Sequence, residues 1–123
     1  MCAADKFEGY EGNIVVLCGD SPLITASTIE HLVETHEASG AAATVLPANP
    51  FGYGRIVRDA GGNVAGIVEE KDCTEEQRAI GECNSGIYCF SAPALLGHLD
   101  QLDRNNAQGE YYLTDMLSLL AAD

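Results

Sequence analysis

Asn13–Cys18, with the sequence Asn-Ile-Val-Val-Leu-Cys, is the stretch that decides the fold. This continuous apolar run, rich in β-branched residues, predicts a strand buried on both faces, which is typical of a parallel sheet. Gly19–Pro22 ends the strand. A helix is expected from about Thr28 to Ser39, opened by a capping box at Ser27, and a second apolar strand follows at residues 41–46. Together these segments predict a strand–helix–strand unit.

Weaker signals extend this unit toward the C-terminus. They predict a hairpin of strands 55–58 and 64–68, a short helix opened by Thr74, a strand at 84–90, and helices at 92–102 and about 112–121. Pro47 is expected to stop the second apolar strand. We therefore predict one α/β unit over residues 1–123. It is a partial Rossmann-like fold, with a mixed, mainly parallel sheet and an inserted β-hairpin.

Composition excludes several classes of function. The formal net charge is −13 and only six residues are Lys or Arg, so the basic face of a nucleic-acid binder is not expected, nor binding to an anionic membrane. No apolar run approaches the ~18–20 residues of a membrane span. The five cysteines are odd in number and form no Cys-x-x-Cys pair, which argues against disulfides and a zinc site and favours the cytoplasm.

Asp20 is the first candidate for chemistry, because it follows a strand at the sheet edge where α/β proteins bind ligands. A lone carboxylate there suits Mg²⁺, although Asp20 could equally initiate the turn at Pro22. Gly54 permits close approach to a ligand or simply leads into a hairpin. The adjacent carboxylates Glu69 and Glu70 are typical of a solvated edge.

Two further polar residues have equally ordinary interpretations. Asn84 opens a strand, where such a side chain usually satisfies the backbone near a turn. Thr114 stands at a helix start, where it could be a capping group.

In order and spacing, five segments resemble the bacterial N-acetylglucosamine-1-phosphate uridyltransferases, over nearly the whole chain from Ile14 to Leu120. They are Leu-Cys-Gly-Asp-Ser-Pro-Leu-Ile (17–24), Gly-Tyr-Gly-Arg-Ile (52–56), Gly-Ile-Val-Glu-Glu-Lys-Asp (66–72), Glu-Cys-Asn-Ser-Gly-Ile (82–87) and Asn-Asn-Ala-Gln-Gly-Glu-Tyr-Tyr-Leu-Thr-Asp (105–115). The resemblance implies a nucleotide-diphospho-sugar transferase fold. It also implies uridylyl transfer from UTP to N-acetylglucosamine 1-phosphate, giving UDP-N-acetylglucosamine, a peptidoglycan precursor, and pyrophosphate.

The resemblance also implies roles for individual residues. Asp20 would be the Mg²⁺ ligand, and Cys18 and Gly19 would line the nucleotide-sugar site. The residues that would hold the sugar and its phosphate are Gly54, Glu69, Asn84 and Thr114.

Several features of that family are not found in these 123 residues. Cys18 stands where many members have Tyr. The Gly-rich N-terminal signature with its phosphate-binding cations, the Gly-Thr-Gly-His segment and the trimerising acetyltransferase domain are absent, and a second Mg²⁺ ligand would fall beyond Asp123. We therefore expect a central to C-terminal part of a nucleotidyltransferase domain that is inactive by itself. The alternatives are a related sugar-1-phosphate nucleotidylyltransferase, or a non-catalytic remnant that binds a sugar phosphate or a partner.

Overall fold

A computed structural model describes residues 3–19, 23–48 and 53–122, which fall into two compact units. The first unit contains residues 1–46 and 86–97, and the second contains residues 47–85 and 98–123. The strands are β1 (Asn13–Val16), β2 (Ala43–Ala48), β3 (Arg55–Arg58), β4 (Val64–Val68) and β5 (Cys83–Ser91). The α-helices are α1 (Ala26–Ser39), α2 (Glu75–Arg78), α3 (Ala92–His98) and α4 (Asp115–Ala122), and short 3-10 helices occupy Ala4–Phe7, Glu70–Asp72 and Leu99–Gln101.

In the first unit, β5 lies between β1 and β2. Val16 is paired with Tyr88 in an antiparallel ladder, and β2 also pairs with β5. The Ser91 N–H donates to the carbonyl of Ala42, whereas the Ala92 N–H donates to that of Gly12, each at 2.9 Å. Successive N–H groups of a strand point to opposite edges, so the two strands that α1 joins occupy the two sides of β5.

The predicted α/β class is confirmed, but the mainly parallel sheet is wrong. All the pairings whose direction is recorded among the described residues, β1–β5, β3–β4 and β3–β5, are antiparallel. β1 is only half-buried, and Leu17 and Cys18 beyond its end are exposed. An apolar run shows that a strand is covered, but it carries no information on the direction of the neighbour, which here comes from a segment some 70 residues away.

The core of the first unit packs α1 onto β5. Leu32, Ile87 and Cys89 are buried together, and half-buried apolar side chains surround them: Val15, Ile24, Val33 and Leu46. Phe90 and Ala92 are fully buried. Burying such side chains contributes roughly 1.5–3 kcal/mol each for the larger ones, so this cluster is a main source of stability in the unit.

The ends of α1 follow local chemistry. Gly40 adopts φ 64° and its N–H donates to the carbonyls of His36 and Glu37, as predicted for a helix C-terminus. The predicted capping box at Ser27 is wrong, because the N-cap is Thr25, whose Oγ1 accepts from the Thr28 N–H at 3.2 Å. The helix therefore begins two residues earlier than predicted, with Thr25 in place of Ser27 as the residue that satisfies one of its first free amides.

The second unit contains the predicted hairpin of β3 and β4. Its turn is ordered by Asp59, whose Oδ1 accepts from the N–H groups of Gly61 (2.8 Å) and Asn63 (3.0 Å). Helix α4 packs on β4, where a Cβ on Gly66 would lie 2.1 Å from Ser118 Oγ. Glycine at position 66 therefore lets the helix approach the strand backbone.

Several predicted boundaries moved. β2 continues through the exposed Pro47 to Ala48, since a proline is tolerated in a strand where its nitrogen is not needed by the ladder. The helix at 92–102 ends at His98 and continues as a 3-10 turn, and the last helix begins at Asp115. Thr74 opens α2 as predicted, through a capping box with Gln77.

None of the helices in the described residues is both long and apolar enough to span a membrane.

His36 is expected to make stability depend on pH. The residue is 3 % exposed and its Nδ1 lies 2.8 Å from Thr44 Oγ1. Burial lowers the pKa of the imidazole, and the charge of Glu37 opposes this shift. The unfolded chain therefore binds the proton more readily. The stabilisation is complete above the unfolded pKa of about 6.5 and is lost as pH falls below it toward the folded value.

Urea unfolding of the 123-residue chain between pH 8 and pH 5 measures this effect. The unfolding free energy should fall less on acidification in His36→Gln than in the wild type. His31→Gln, at an exposed position of the same helix, is the control and should keep the wild-type slope. Equal slopes in all three proteins would show that His36 does not titrate in this way.

Candidate functional site

Three strand ends meet at one position of the second unit. Arg55 is paired with Val68 of β4 and with Cys83 of β5, both antiparallel. One step further in the same registers, Gly54 faces Glu69 and Asn84, and the Asn84 N–H donates to the Gly54 carbonyl at 2.8 Å. Residues opposite one another in adjacent strands project to the same face. Glu69 and Asn84 therefore share a face, with a glycine between them.

Gly54 leaves little room for a side chain. A Cβ there would lie 2.9 Å from Ile67 Cγ2, 3.3 Å from the Val68 carbonyl oxygen and 3.4 Å from Glu69 Oε2. Gly54 is itself buried. A glycine that only leads into a hairpin would not need to be this crowded. Glycine at position 54 instead lets the backbone lie close to the end of β4.

Thr114 joins the same group from a distant part of the chain. Its hydroxyl donates to Glu69 Oε1 at 3.0 Å, and the residue is only 5 % exposed. The side-chain bond recorded for it is therefore to a carboxylate rather than a cap of the following helix. Glu69 is half-buried. The hydrogen bond from Thr114 fixes its Oε1, and its Oε2 is directed toward Gly54.

The charged run at residues 69–72 is more than a solvated edge. Lys71 Nζ donates to Gln108 Oε1 at 3.2 Å, and Asp72 Oδ1 accepts from the Ala107 N–H at 2.9 Å. Both contacts join the end of β4 to the loop that leads into α4. Sequence reasoning did not single out Asp72, although two of the segments that carry the resemblance contain these partners.

Asn106 organises that loop internally. Its Oδ1 accepts from the N–H groups of Gln108 and Glu110, each at 3.2 Å, and its Nδ2 donates to the Glu110 carbonyl at 2.6 Å. An asparagine side chain that bonds to the backbone in this way closes a tight turn. The loop before Thr114 is therefore stabilised internally by Asn106, and it is bonded to Asp72 through the Ala107 N–H.

The surroundings of Thr114 are acidic. Burial, followed by the negative charges of Asp103, Glu69 and Asp72, raises the pKa of the Asp115 carboxyl above its usual range. Carboxylates in such a setting accept hydrogen bonds from hydroxyl groups, but they repel phosphate. The arrangement around Glu69 thus suits a neutral polyol, and any phosphate bound nearby requires compensating positive charge.

Comparison with known proteins identifies the family. All of residues 1–123 match the family model described as nucleotidyl transferase. The chain belongs to the nucleotidyl transferase family. Two curated relatives are each named bifunctional protein GlmU. The one from Trichlorobacter lovleyi is 51 % identical over 99 % of this chain, and the one from Clostridium novyi is 52 % identical over 98 %.

The chain spans about 27 % of the length of either relative. Among solved structures, UDP-glucose pyrophosphorylase in complex with UDP-glucose matches with a TM-score of 0.67. The match covers 97 % of this chain and 48 % of that one, at 14 % identity. At that identity the likeness establishes the shared fold, which agrees with membership of the nucleotidyl transferase family.

The remaining predicted site residues of this family member belong to the first unit or lie outside the described residues. Cys18 and Gly19 follow β1, both exposed, and Cys18 Sγ lies 3.3 Å from the carbonyl oxygen of Gly86. Asp20 is outside the described residues. The structure thus brings together four predicted residues in the second unit. That Cys18, Gly19 and Asp20 share their cleft stays a prediction.

The same holds for the predicted metal ion. Among the side chains in 3–19, 23–48 and 53–122, no group of three or more His, Cys, Asp and Glu is placed to bind a metal. Mg²⁺ typically uses one or two protein carboxylates and takes its other ligands from water and substrate phosphates. Asp20 as a lone ligand fits that preference, but the described residues do not test it.

Proposed function

We propose that this chain is part of an enzyme that transfers the uridylyl group of UTP to N-acetylglucosamine 1-phosphate, releasing pyrophosphate. The observation that carries the proposal is the cluster of Gly54, Glu69, Asn84 and Thr114, residues separated by up to 60 positions yet joined by register and hydrogen bonds. The roughly 50 % identity to two bifunctional GlmU proteins supports the same activity.

The proposed reaction is attack by a phosphate oxygen of the sugar phosphate on the α-phosphorus of UTP, with pyrophosphate as the leaving group. Catalysis of this kind depends on positioning and on stabilisation of charge. In this chain, Glu69 would accept hydrogen bonds from sugar hydroxyls, with Thr114 fixing the carboxylate. The Gly54 N–H would donate to the substrate, and the Asn84 amide can both donate and accept.

Mg²⁺ would be held by Asp20 and would neutralise charge on the substrate phosphates. Cys18 and Gly19 would line the nucleotide side of the site. We also place the protein in the cytoplasm, because the cysteines in the described residues, Cys18, Cys73, Cys83 and Cys89, are all free thiols. Trimerisation through an acetyltransferase domain remains a prediction about sequence outside these residues.

A graft tests the proposal. Residues 1–123 would replace the aligned segment, about 27 % of the length, of the Clostridium novyi relative. The purified graft, freed of host enzyme, would be assayed for pyrophosphate release from UTP with either N-acetylglucosamine 1-phosphate or glucose 1-phosphate. We expect turnover that favours the N-acetylated sugar and that is abolished by EDTA.

Two outcomes of this assay would change the assignment. A folded graft that prefers glucose 1-phosphate or another nucleotide would favour a related nucleotidylyltransferase. A folded graft that binds the sugar phosphate in calorimetry but releases no pyrophosphate would favour a non-catalytic remnant. Asp20→Asn in the graft should raise the Mg²⁺ concentration needed for the half-maximal rate, and an unchanged Mg²⁺ dependence would remove Asp20 as the ligand.

A further inference from the structure

Arg55 and Glu70 form an ion pair beside the candidate site. Arg55 Nη1 lies 2.5 Å from Glu70 Oε2, and the arginine side chain is only 4 % exposed. Gly54 and Arg55 are consecutive residues at the start of β3, so their side-chain directions fall on opposite faces. The Gly54 side faces Glu69 Oε2. The guanidinium of Arg55 therefore lies on the face away from Glu69.

The contacts of Arg55 fall on the immediate neighbours of two site residues. Its Nη1 also donates to the carbonyl of Tyr53, the residue before Gly54. Glu70, its ionic partner, is the residue after Glu69. One guanidinium group thus contacts the backbone carbonyl of the residue before the glycine and the side chain of the residue after the site carboxylate.

A third contact, from Nη2 to the Arg78 carbonyl at 3.4 Å, connects the same group to the end of α2. Arg78 also approaches Glu70, with Nε 3.6 Å from Oε1. Glu70 is therefore held from two sides. Its position, and with it the end of β4, is fixed more closely than a single exposed ion pair would achieve.

The Arg55–Glu70 ion pair is not expected to stabilise the fold by much. Burying a guanidinium costs desolvation energy that the ion pair often only offsets, and Arg55 Nε is buried with no hydrogen-bond partner within the described part of the chain. An apolar side chain would fill the same volume without an unsatisfied donor. Unlike an apolar residue, the arginine provides directional bonds that link the start of β3 to the residue after Glu69.

We propose that Arg55, through Glu70, is a positioning residue that sets the separation of the Gly54 backbone and the Glu69 carboxylate, and so the affinity for the sugar 1-phosphate. This inference rests on the proposed uridylyl transfer. It assigns no contact between Arg55 and the substrate. It predicts that loss of the pair affects one substrate, the sugar phosphate, and leaves UTP binding unchanged.

The test compares Arg55→Gln with Arg58→Gln in the graft described above. Both arginines belong to β3 and both pair with a glutamate, but Arg58 bonds Glu82 through Nε (2.8 Å) and Nη2 (2.6 Å) with a half-exposed side chain. For Arg55→Gln we expect KM for N-acetylglucosamine 1-phosphate to rise about tenfold, because a misplacement of about 1 Å can cost about 10²-fold and a smaller shift costs less. KM for UTP should stay within about twofold.

Arg58→Gln should leave both KM values and kcat within about twofold of the wild type. Mere loss of folded protein would lower the apparent kcat without changing either KM, so the selective change in KM separates positioning from stability. Arg55→Lys should not restore the wild-type KM, because an ammonium group cannot bond Tyr53, Glu70 and Arg78 in the same forked geometry.

Glu70→Gln tests the same inference if Arg55→Gln does not fold, because glutamine keeps the shape of the Glu70 side chain and removes only its charge. It should raise the same KM in the same direction, and the double variant should be no worse than Arg55→Gln alone. Unchanged KM values in Glu70→Gln, or equal rises for both substrates, would overturn the inference. An inactive wild-type graft would reject the proposed function, and this inference with it, whereas an active graft insensitive to Arg55 would reject this inference alone.

Discussion

Glu69→Ala is expected to lower kcat/KM for N-acetylglucosamine 1-phosphate by about 10²-fold or more in the graft. Each hydrogen bond to a charged group is worth about 1.5–3 kcal/mol, and a carboxylate facing a sugar can accept two. Truncation also leaves the buried Thr114 hydroxyl without the acceptor that now lies at 3.0 Å. Rates measured at varied sugar phosphate and saturating UTP give the value.

A second variant distinguishes the role of the Glu69 carboxylate from that of the Thr114 hydroxyl that orients it. Thr114→Val keeps the shape of the side chain and removes only the hydroxyl that orients Glu69, so a smaller loss of about tenfold is expected. Glu75→Ala is the charge-matched control, because its side chain is 93 % exposed at the start of α2, and it should retain wild-type kinetics. A Glu69→Ala graft with kcat/KM within threefold of the wild type, where about 10²-fold is expected, would remove Glu69 from the site.

Gly86→Val is expected to lower the unfolding free energy of the chain by about 2–4 kcal/mol. Gly86 has φ 80°, a region that β-branched residues almost never adopt. A Cβ at this position would also lie 2.5 Å from Cys18 Sγ. Both effects arise at Gly86 in β5, the strand on which the core of the first unit is built.

Urea denaturation of the 123-residue chain, followed by circular dichroism, measures the loss. Gly97→Ala is the control, since a Cβ there meets nothing within 4 Å and the residue lies in α3. It should stabilise the protein by about 0.5–1 kcal/mol. Adding Cys18→Ala to Gly86→Val should recover only the part due to the thiol contact. Full recovery would mean that the backbone conformation of Gly86 contributes nothing.

Features with short-range causes could be predicted from the sequence. The Gly40 helix end, the hairpin around Asp59 and the Thr74 cap each depend on residues within about five positions, and all three are present. The apolar run at Asn13 marked a strand correctly, and five segments identified the family from their order and spacing. Local backbone preferences and motif spacing depend only on the order of residues along the chain, so both can be predicted from the sequence.

The neighbours of each strand, by contrast, depended on the whole fold. Nothing in Asn13–Cys18 shows that β5, far along the chain, would pair with it in the antiparallel direction, because an apolar side chain packs equally well in either.

The same limit applies to the candidate site. The charged run 69–72 reads as a solvated edge until Glu70 is seen against Arg55, and Glu69 against Thr114. Whether a charge is solvated or held depends on groups brought to it from 15 and 45 residues away. That proximity arises only when sheet register and the packing of α4 on β4 are both in place.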